Sequence, residues 1–251
     1  MATRSLPERR DDQPAFVLHA YPYKETSLIV EAFTRDHGRV GLVARGAKRP
    51  RSELRGLLQA FQPITVSYAG AGELKTLAKA EWRGGVPLPS GHALLSGFYL
   101  NELLLKLLPR EDPHPGLWDD YEAALRALAE AATPVGQAPV LRHFEVGLLA
   151  ALGYALPLTR EAGGGAAIDP DARYHYAFDQ GARPCAAEPG ARWPVVRGAT
   201  LLALAESRYP DAETAAEAKR LMRDVLDHYL DSRRIESRRI VADLQALDGE
   251  R

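Results

Sequence analysis

The stretch "TSLIVEAFTRDHGRVGLVAR", Thr26–Arg45, has the pattern of two β-strands joined by a tight turn. Its first half is rich in β-branched and aromatic residues, which favour strands. "RDHG" at Arg35–Gly38 is typical of a hairpin turn, because Gly38 can adopt the positive φ that such turns need. "RVGLVAR" then continues as a second strand, so the stretch predicts a β-hairpin.

Three further segments extend this hairpin to five strands. "AFVLHAYPY" (15–23) precedes it, and "PITVSYA" (63–69) and "ELKTLAKAEW" (73–82) follow it, separated by the turn "AGAG". Five strands in about 70 residues, joined mostly by hairpins, predict a small closed or half-closed barrel. The segment "SELRGLLQAF" (52–61) is helix-like, and we expect it to plug the bottom of the barrel.

The pattern becomes helical after the linker "RGGVPLPSG" (83–91). The irregular segment 154–197 interrupts it, and "YHYAFDQGARP" (174–184) within that segment predicts a small hairpin. We therefore expect a flexible N-terminus at 1–13, a strand domain at 14–84 and a helical domain at 91–251. Five or six helices are predicted, at 92–108, 117–132, 138–153 (ended by Gly153), 198–209, 212–230 and 237–247.

The charge is unevenly distributed, although the net charge is only −1. Residues 1–83 hold 14 Lys and Arg against 9 Asp and Glu, whereas residues 84–251 hold 18 against 24. The loop "VARGAKRPRSELRG" (43–56) holds five cations and a single acid, Glu53. A phosphate backbone neutralises such a cluster and releases counterions, so the loop predicts nucleic-acid binding rather than a solvated face.

Other cations are expected to join this loop. Lys24 and Arg39 belong to adjacent strands, and alternation places Lys75 and Lys79 on one outward face of the fifth strand. Tyr21, Tyr23, Phe33 and Tyr68 are candidate base-stacking rings, although core packing fits each of them better. The predicted nucleic-acid contacts are Lys24, Arg39, Arg45, Lys48, Arg49, Arg51, Arg55, Lys75 and Lys79.

No catalytic motif is found in the sequence, which has neither a metal-binding HExxH, a phosphate-cradling glycine loop nor a GxSxG. The pair Glu111–Asp112 lies in a proline-rich turn and is interpreted as a solvated loop. Cys185 is the only cysteine, which excludes a disulfide framework and fits a reducing compartment. A signal peptide and long apolar runs are lacking, so we expect a cytoplasmic protein without membrane contact. We also expect no enzymatic activity, and the enzymatic alternative is an unrecognised nuclease or other hydrolase.

Arg142 interrupts the apolar stripe of the helix "VLRHFEVGLL". One interpretation is a surface arginine whose stem packs on apolar neighbours. The other is a charge beside an apolar groove, suited to an acidic peptide with an apolar end.

Four stretches, at 16–52, 99–128, 141–156 and 229–240, occur in an order that resembles the RecO family of bacterial DNA repair proteins. The resemblance implies an α+β protein in two segregated parts, an N-terminal five-stranded OB-fold barrel followed by an all-α C-terminal domain. It also implies binding of single- and double-stranded DNA and annealing of complementary strands, without catalysis of covalent bond formation or cleavage. It further implies that the protein works with RecR to load RecA onto strands coated with single-stranded DNA-binding protein (SSB). RecR and the SSB tail are the implied protein partners, with Arg142 in the pocket for that tail. Association with the nucleoid is also expected. An adaptor that only bridges proteins is the alternative.

One segment departs from that family. Some members carry a four-cysteine zinc knuckle after the segment that corresponds to "LGY", but "LTREAGGG" (158–165) lacks the first cysteine pair and only Cys185 lies near the second. We therefore predict no metal and no cofactor, with the hairpin at 174–184 as a metal-free, knuckle-like insertion.

Overall fold

The computed structural model describes residues 9–131, 133–185, 192–230 and 235–240. The strands are β1 (Arg9–Tyr23), β2 (Ser27–Thr34), β3 (Gly38–Ala44), β4 (Pro63–Ala69), β5 (Leu74–Trp82), β6 (Arg173–Ala177), β7 (Gly181–Pro184) and β8 (Val195–Arg197). The helices are α1 (Leu54–Leu57), α2 (His92–Leu107), α3 (Pro115–Glu130), α4 (Pro134–Ala151), α5 (Gly198–Glu206) and α6 (Ala212–Tyr229). Residues 236–240 are also helical.

The first five strands close into a barrel in the order β1-β2-β3-β5-β4. All neighbouring pairs are antiparallel except β3 and β5, which run parallel. This topology, with α1 between β3 and β4, confirms the predicted OB-fold. Inward side chains that alternate along the strands form its core: Ala15, Val17, Val30, Ala32, Val40, Leu42, Ala44, Ile64, Val66, Tyr68 and Leu77.

The hairpin at 26–45 is confirmed, since β2 and β3 pair from Leu28–Ala44 to Thr34–Gly38. Gly38 has a φ of 65° and lies against the connection between α2 and α3. A Cβ atom there would be 2.0 Å from the carbonyl oxygen of Asp112. Glycine is therefore required both by the turn and by this close backbone approach.

The helix-like segment 52–61 forms only the single turn of α1, and Leu54 of this turn packs against the barrel core. Leu58 is 4% exposed and belongs to the barrel core. Phe61 follows with a positive φ of 70° and packs edge-on against Phe98 of α2, with ring centroids 4.9 Å apart. Apolar burial thus fixes the segment that follows the basic loop.

The N-terminus differs from its prediction. Residues 9–13 do not form a flexible tail, because β1 begins at Arg9 and pairs with β4 from Arg9–Ala69 onward. The sequence pattern did not predict this part of the strand, because residues 9–13 are all polar and lie at the edge of the core. Residues 1–8 of the predicted flexible segment lie outside the described residues.

Helices α2 and α3 cover the barrel. Trp118 of α3 is buried against Phe16 of β1, and its Nε1 donates a hydrogen bond to the carbonyl oxygen of Phe33 at 3.1 Å. Asn101 of α2 donates from Nδ2 to the carbonyl oxygen of Leu18 at 2.7 Å. The helices bury the carbonyl oxygens of Leu18 and Phe33, and these two side chains donate hydrogen bonds to them. Both buried carbonyl groups therefore have a hydrogen-bond partner.

The described residues divide into two compact units, one up to residue 129 together with 237–240, and one from 130 to 236. The predicted boundary at 84–91 is thus the change from strands to helices, whereas α2 and most of α3 pack in the first unit. The limits 14–84 and 91–251 for independently folding domains stay a prediction.

The second unit contains α4, α5, α6 and a three-stranded sheet of order β7-β6-β8. The predicted hairpin is confirmed by β6 and β7, while β8 was not predicted. Helix α4 starts earlier than predicted, because Thr133 caps it by accepting from the Gly136 N–H, and Pro139 is tolerated inside it. Gly153, with a φ of 86°, follows the end of α4 as predicted. Asp211 caps α6 by accepting from the Thr214 N–H at 2.7 Å.

The last predicted helix is described only at 236–240, and residues 241–247 lie outside the described part of the chain. Among the described helices, none combines the length and apolar character needed to cross a membrane.

Candidate nucleic-acid interface

The basic loop, defined as residues 45–55, is held to the barrel by its backbone. Ala47 is fully buried in the barrel core. The N–H of Lys48 donates to the carbonyl oxygen of Thr26 at 2.9 Å, in the turn between β1 and β2, and the N–H of Arg49 donates to Gly46 at 3.0 Å. The loop is therefore a fixed series of turns, and its side chains project from an ordered backbone.

All five cations of the basic loop are exposed. None of them forms an ion pair with another described residue, in contrast to most of the other cations of the first unit. Within the described part of the chain, their positive charges are therefore uncompensated and accessible to an anion. These residues are Arg45, Lys48, Arg49, Arg51 and Arg55.

Lys24 lies beside the basic loop, as the sequence predicts. It is exposed in the turn between β1 and β2, and its carbonyl oxygen accepts a hydrogen bond from Lys48 Nζ at 3.4 Å. Its own Nζ lies 5.2 Å from the centre of the Tyr23 ring. The basic loop and this neighbouring turn together carry six exposed cations.

Arg39 is placed elsewhere. Its Nη1 lies 3.0 Å from Glu31, and its Nε donates to the carbonyl oxygen of Leu108 at 3.0 Å. Arg110 pairs with the same carboxylate, whose side chain is only 6% exposed. Tyr21 also donates to Glu31, and burial together with this carboxylate raises the pKa of Tyr21. Arg39 thus neutralises a buried carboxylate in the structure.

The prediction that Lys75 and Lys79 share an outward face is wrong. Ala78 is an extra residue in β5, since Leu77 pairs with Tyr68 and Lys79 pairs with the adjacent Ser67. This bulge shifts the alternation of side chains. Lys75 is buried, and its Nζ forms an ion pair with Glu111 Oε1 at 2.7 Å. Lys79 is exposed, and its Nζ forms an ion pair with Glu81 Oε2 at 2.8 Å.

The four candidate rings separate in the same way. Phe33 and Tyr68 are core residues, 0% and 3% exposed. Tyr21 and Tyr23 are partly exposed on β1. The sequence missed Trp82, which is 67% exposed at the end of β5.

Arg142 is buried in the second unit. It is 7% exposed and pairs with Glu145, which is completely buried one turn further along α4. Tyr209 lies close to both charges, and burial raises its pKa to about 12. The surface interpretation of Arg142 is therefore wrong, and any peptide carboxylate would have to compete with Glu145.

The other polar groups of the described residues form no recognisable catalytic arrangement. Glu111 pairs with Lys75, and Asp112 lies 3.1 Å from His114 Nε2. Cys185 is partly exposed, and in the described ranges no three His, Cys, Asp or Glu residues cluster as metal ligands would. The absence of a cofactor and of a bound metal stays a prediction.

Comparison with known proteins identifies the family. The family model "Recombination protein O N terminal" matches residues 10–86, and "Recombination protein O C terminal" matches residues 88–239. A protein named DNA repair protein RecO from Azoarcus sp. (strain BH72) is 48% identical over 247 residues, covering 97% of this chain and 100% of the relative. Those of Dechloromonas aromatica (strain RCB) and Burkholderia pseudomallei (strain 1710b) are 49% and 48% identical, covering 97% and 98% of this chain and 100% and 88% of the relatives. Barrel, basic loop and these matches agree: the chain belongs to the RecO family and is a DNA repair protein.

Proposed function

We propose that this chain is a recombination mediator that binds single- and double-stranded DNA and anneals complementary strands. The observation that carries the proposal is the set of five exposed, uncompensated cations on a backbone that is fixed to the barrel. Arg39 and Lys75 form ion pairs with acids of the same chain, and we assign them a structural role. Lys79, which is exposed beside Glu81, is left as a peripheral contact.

Annealing follows from electrostatics. Two complementary strands repel each other through their phosphates, and this repulsion is weaker when cations occupy part of each backbone. The basic loop and Lys24 present six such exposed cations, and Lys48 joins the loop to Lys24. No bond is made or broken in this process, so the proposed activity requires no catalytic residue.

The second unit is proposed to bind the acidic tail of SSB at Arg142. A tail carboxylate would take over part of the hydrogen bonding that Glu145 now provides to the guanidinium group. With RecR as a partner, the protein would then help to load RecA onto strands coated with SSB. These partners are proposed from the family resemblance.

The decisive experiment is annealing of SSB-coated complementary strands by a charge-reversal variant, Lys48→Glu, Arg49→Glu and Arg51→Glu. We expect loss of annealing with an unchanged circular dichroism spectrum, because the three side chains are exposed. The matched control reverses Lys219, Arg220 and Arg223, which are exposed on α6 and change the net charge equally. Annealing at the wild-type rate by the first variant would refute the role of the loop.

The alternative, an adaptor that only bridges proteins, predicts no shift of single-stranded DNA in a gel at low or high salt. Our proposal predicts a shift that weakens as salt rises. Labelled DNA incubated with Mg²⁺ tests the remaining enzymatic alternative, since the proposal predicts that the DNA stays intact.

A further inference from the structure

Trp82, the last residue of β5, presents a large aromatic ring to solvent. It is 67% exposed, whereas Trp118 is 3% and Trp193 is 37% exposed. Gly84 lies beside the ring, since a Cβ atom added to it would lie 3.6 Å from two carbons of the indole. Single exposed apolar residues are common on protein surfaces, so the exposure gains meaning only from what surrounds it.

The ring lies at the end of the barrel that carries the basic loop. Strands β3 and β5 run parallel, with Val43 paired to Thr76, so their C-terminal ends point the same way. The C-terminal end of β3 leads into the basic loop, and β5 continues to Trp82. Helix α1, whose first two residues belong to the basic loop, packs against β5.

The charges next to the ring allow a phosphate backbone to approach. Glu81, the acid that precedes Trp82, is bonded to Lys79 at 2.8 Å. Arg83, which follows it, is exposed and has its guanidinium carbon 5.4 Å from the centre of the Trp118 ring. The acid that precedes the ring is thus paired with a lysine, and the residue that follows the ring carries a positive charge.

We propose that Trp82 stacks on an unpaired base of DNA held by the basic loop and that this contact strengthens binding to single strands but not to duplex DNA. The proposal rests on the proposed function, since the loop supplies the phosphate contacts. Aromatic rings stack on any base without reading its sequence. In a duplex the bases already pair and stack inside the helix, so the ring has no base to contact there.

Equilibrium binding of Trp82→Ala to a single-stranded oligonucleotide and to the matching duplex tests this. Loss of one stacked base lowers affinity by about fivefold or more. We expect that loss for the single strand only, with partial retention in Trp82→Phe and no change in Trp193→Ala, the matched control. Equal losses on both DNAs, or none on the single strand, would overturn the proposal.

Intrinsic fluorescence provides the second measurement. Oligothymidine should quench the wild type and Trp193→Phe, and quenching should disappear in Trp82→Phe while binding persists. Quenching that persists in Trp82→Phe refutes stacking at this ring but leaves the basic loop intact as the DNA site. A wild-type protein that binds neither DNA refutes the proposed function itself.

Discussion

Replacing Lys48, Arg49 and Arg51 by glutamine tests the electrostatic mechanism quantitatively. The basic loop and Lys24 together carry six exposed cations. Each phosphate neutralised on a single strand contributes about 0.7 to the slope of log affinity against log salt, so six contacts give a slope near −4. Removing three of them should reduce it to about −2.

These slopes translate into easily measured affinities. Between about 50 mM and about 200 mM salt, the wild-type affinity should fall roughly 300-fold, and that of the variant roughly 20-fold. Fluorescence anisotropy of a labelled oligothymidine at several salt concentrations measures both slopes. Substitution by glutamine keeps the polar character and removes only charge, so folding should not change.

The control replaces Lys219, Arg220 and Arg223 by glutamine, which lowers the net charge by the same amount on α6. Its slope should remain that of the wild type. If both variants lower the slope equally, net charge and not the loop determines binding. If the loop variant retains the wild-type slope, its side chains do not contact phosphate and the assignment is refuted.

Three further changes test the fold and the second unit. Gly38→Ala should lower the free energy of unfolding in urea by about 2–4 kcal/mol, from backbone strain and a clash, whereas Gly56→Ala, with no neighbour within 4 Å, should not destabilise. Asp211→Ala should destabilise at neutral pH. Its hydrogen bonds at the start of α6 lower the pKa of this carboxyl, so its stabilisation is present above the ordinary pKa of about 4 and is lost as the pH falls below it. A thermal-melt difference that stays constant down to pH 2 would contradict this. Glu145→Gln should tighten binding of an acidic, phenylalanine-ended peptide if Arg142 receives its carboxylate, and an unchanged or weaker titration would remove Arg142 from the site.

Local patterns were enough to predict the barrel. The hairpin at 26–45 combines β-branched residues with a glycine turn, and both act within a few residues. The start of α4 was predicted too late, at residue 138, whereas Thr133 caps the helix and Pro134 is its first residue. Strand β8 has three residues and exists only because β6 pairs with it, which no local pattern reveals.

The cationic site could be predicted only in part, because charge partners depend on the tertiary structure. Glu31 lies within the apolar run "SLIVEAF", and an acid in such a strand indicates a buried ion pair. Its partner Arg110 lies 79 residues away. The bulge at Ala78 and the exposure of Trp82 likewise depend on neighbouring strands and on the end of the barrel.

The basic loop remains available to a ligand because other cations of the barrel form the ion pairs with the buried and nearby acids. Arg39 and Arg110 form ion pairs with the buried Glu31. Removing either arginine would leave the buried carboxylate only partly neutralised, which destabilises the fold. The cations of the basic loop do not neutralise a buried acid. Their mutual repulsion lowers the stability of the fold slightly until a polyanion binds. A mutation in the first group should therefore act mainly on folding, and a mutation in the loop mainly on DNA binding. A count of lysine and arginine in a sequence thus conceals two functional classes, which the ion-pair partners of each side chain distinguish.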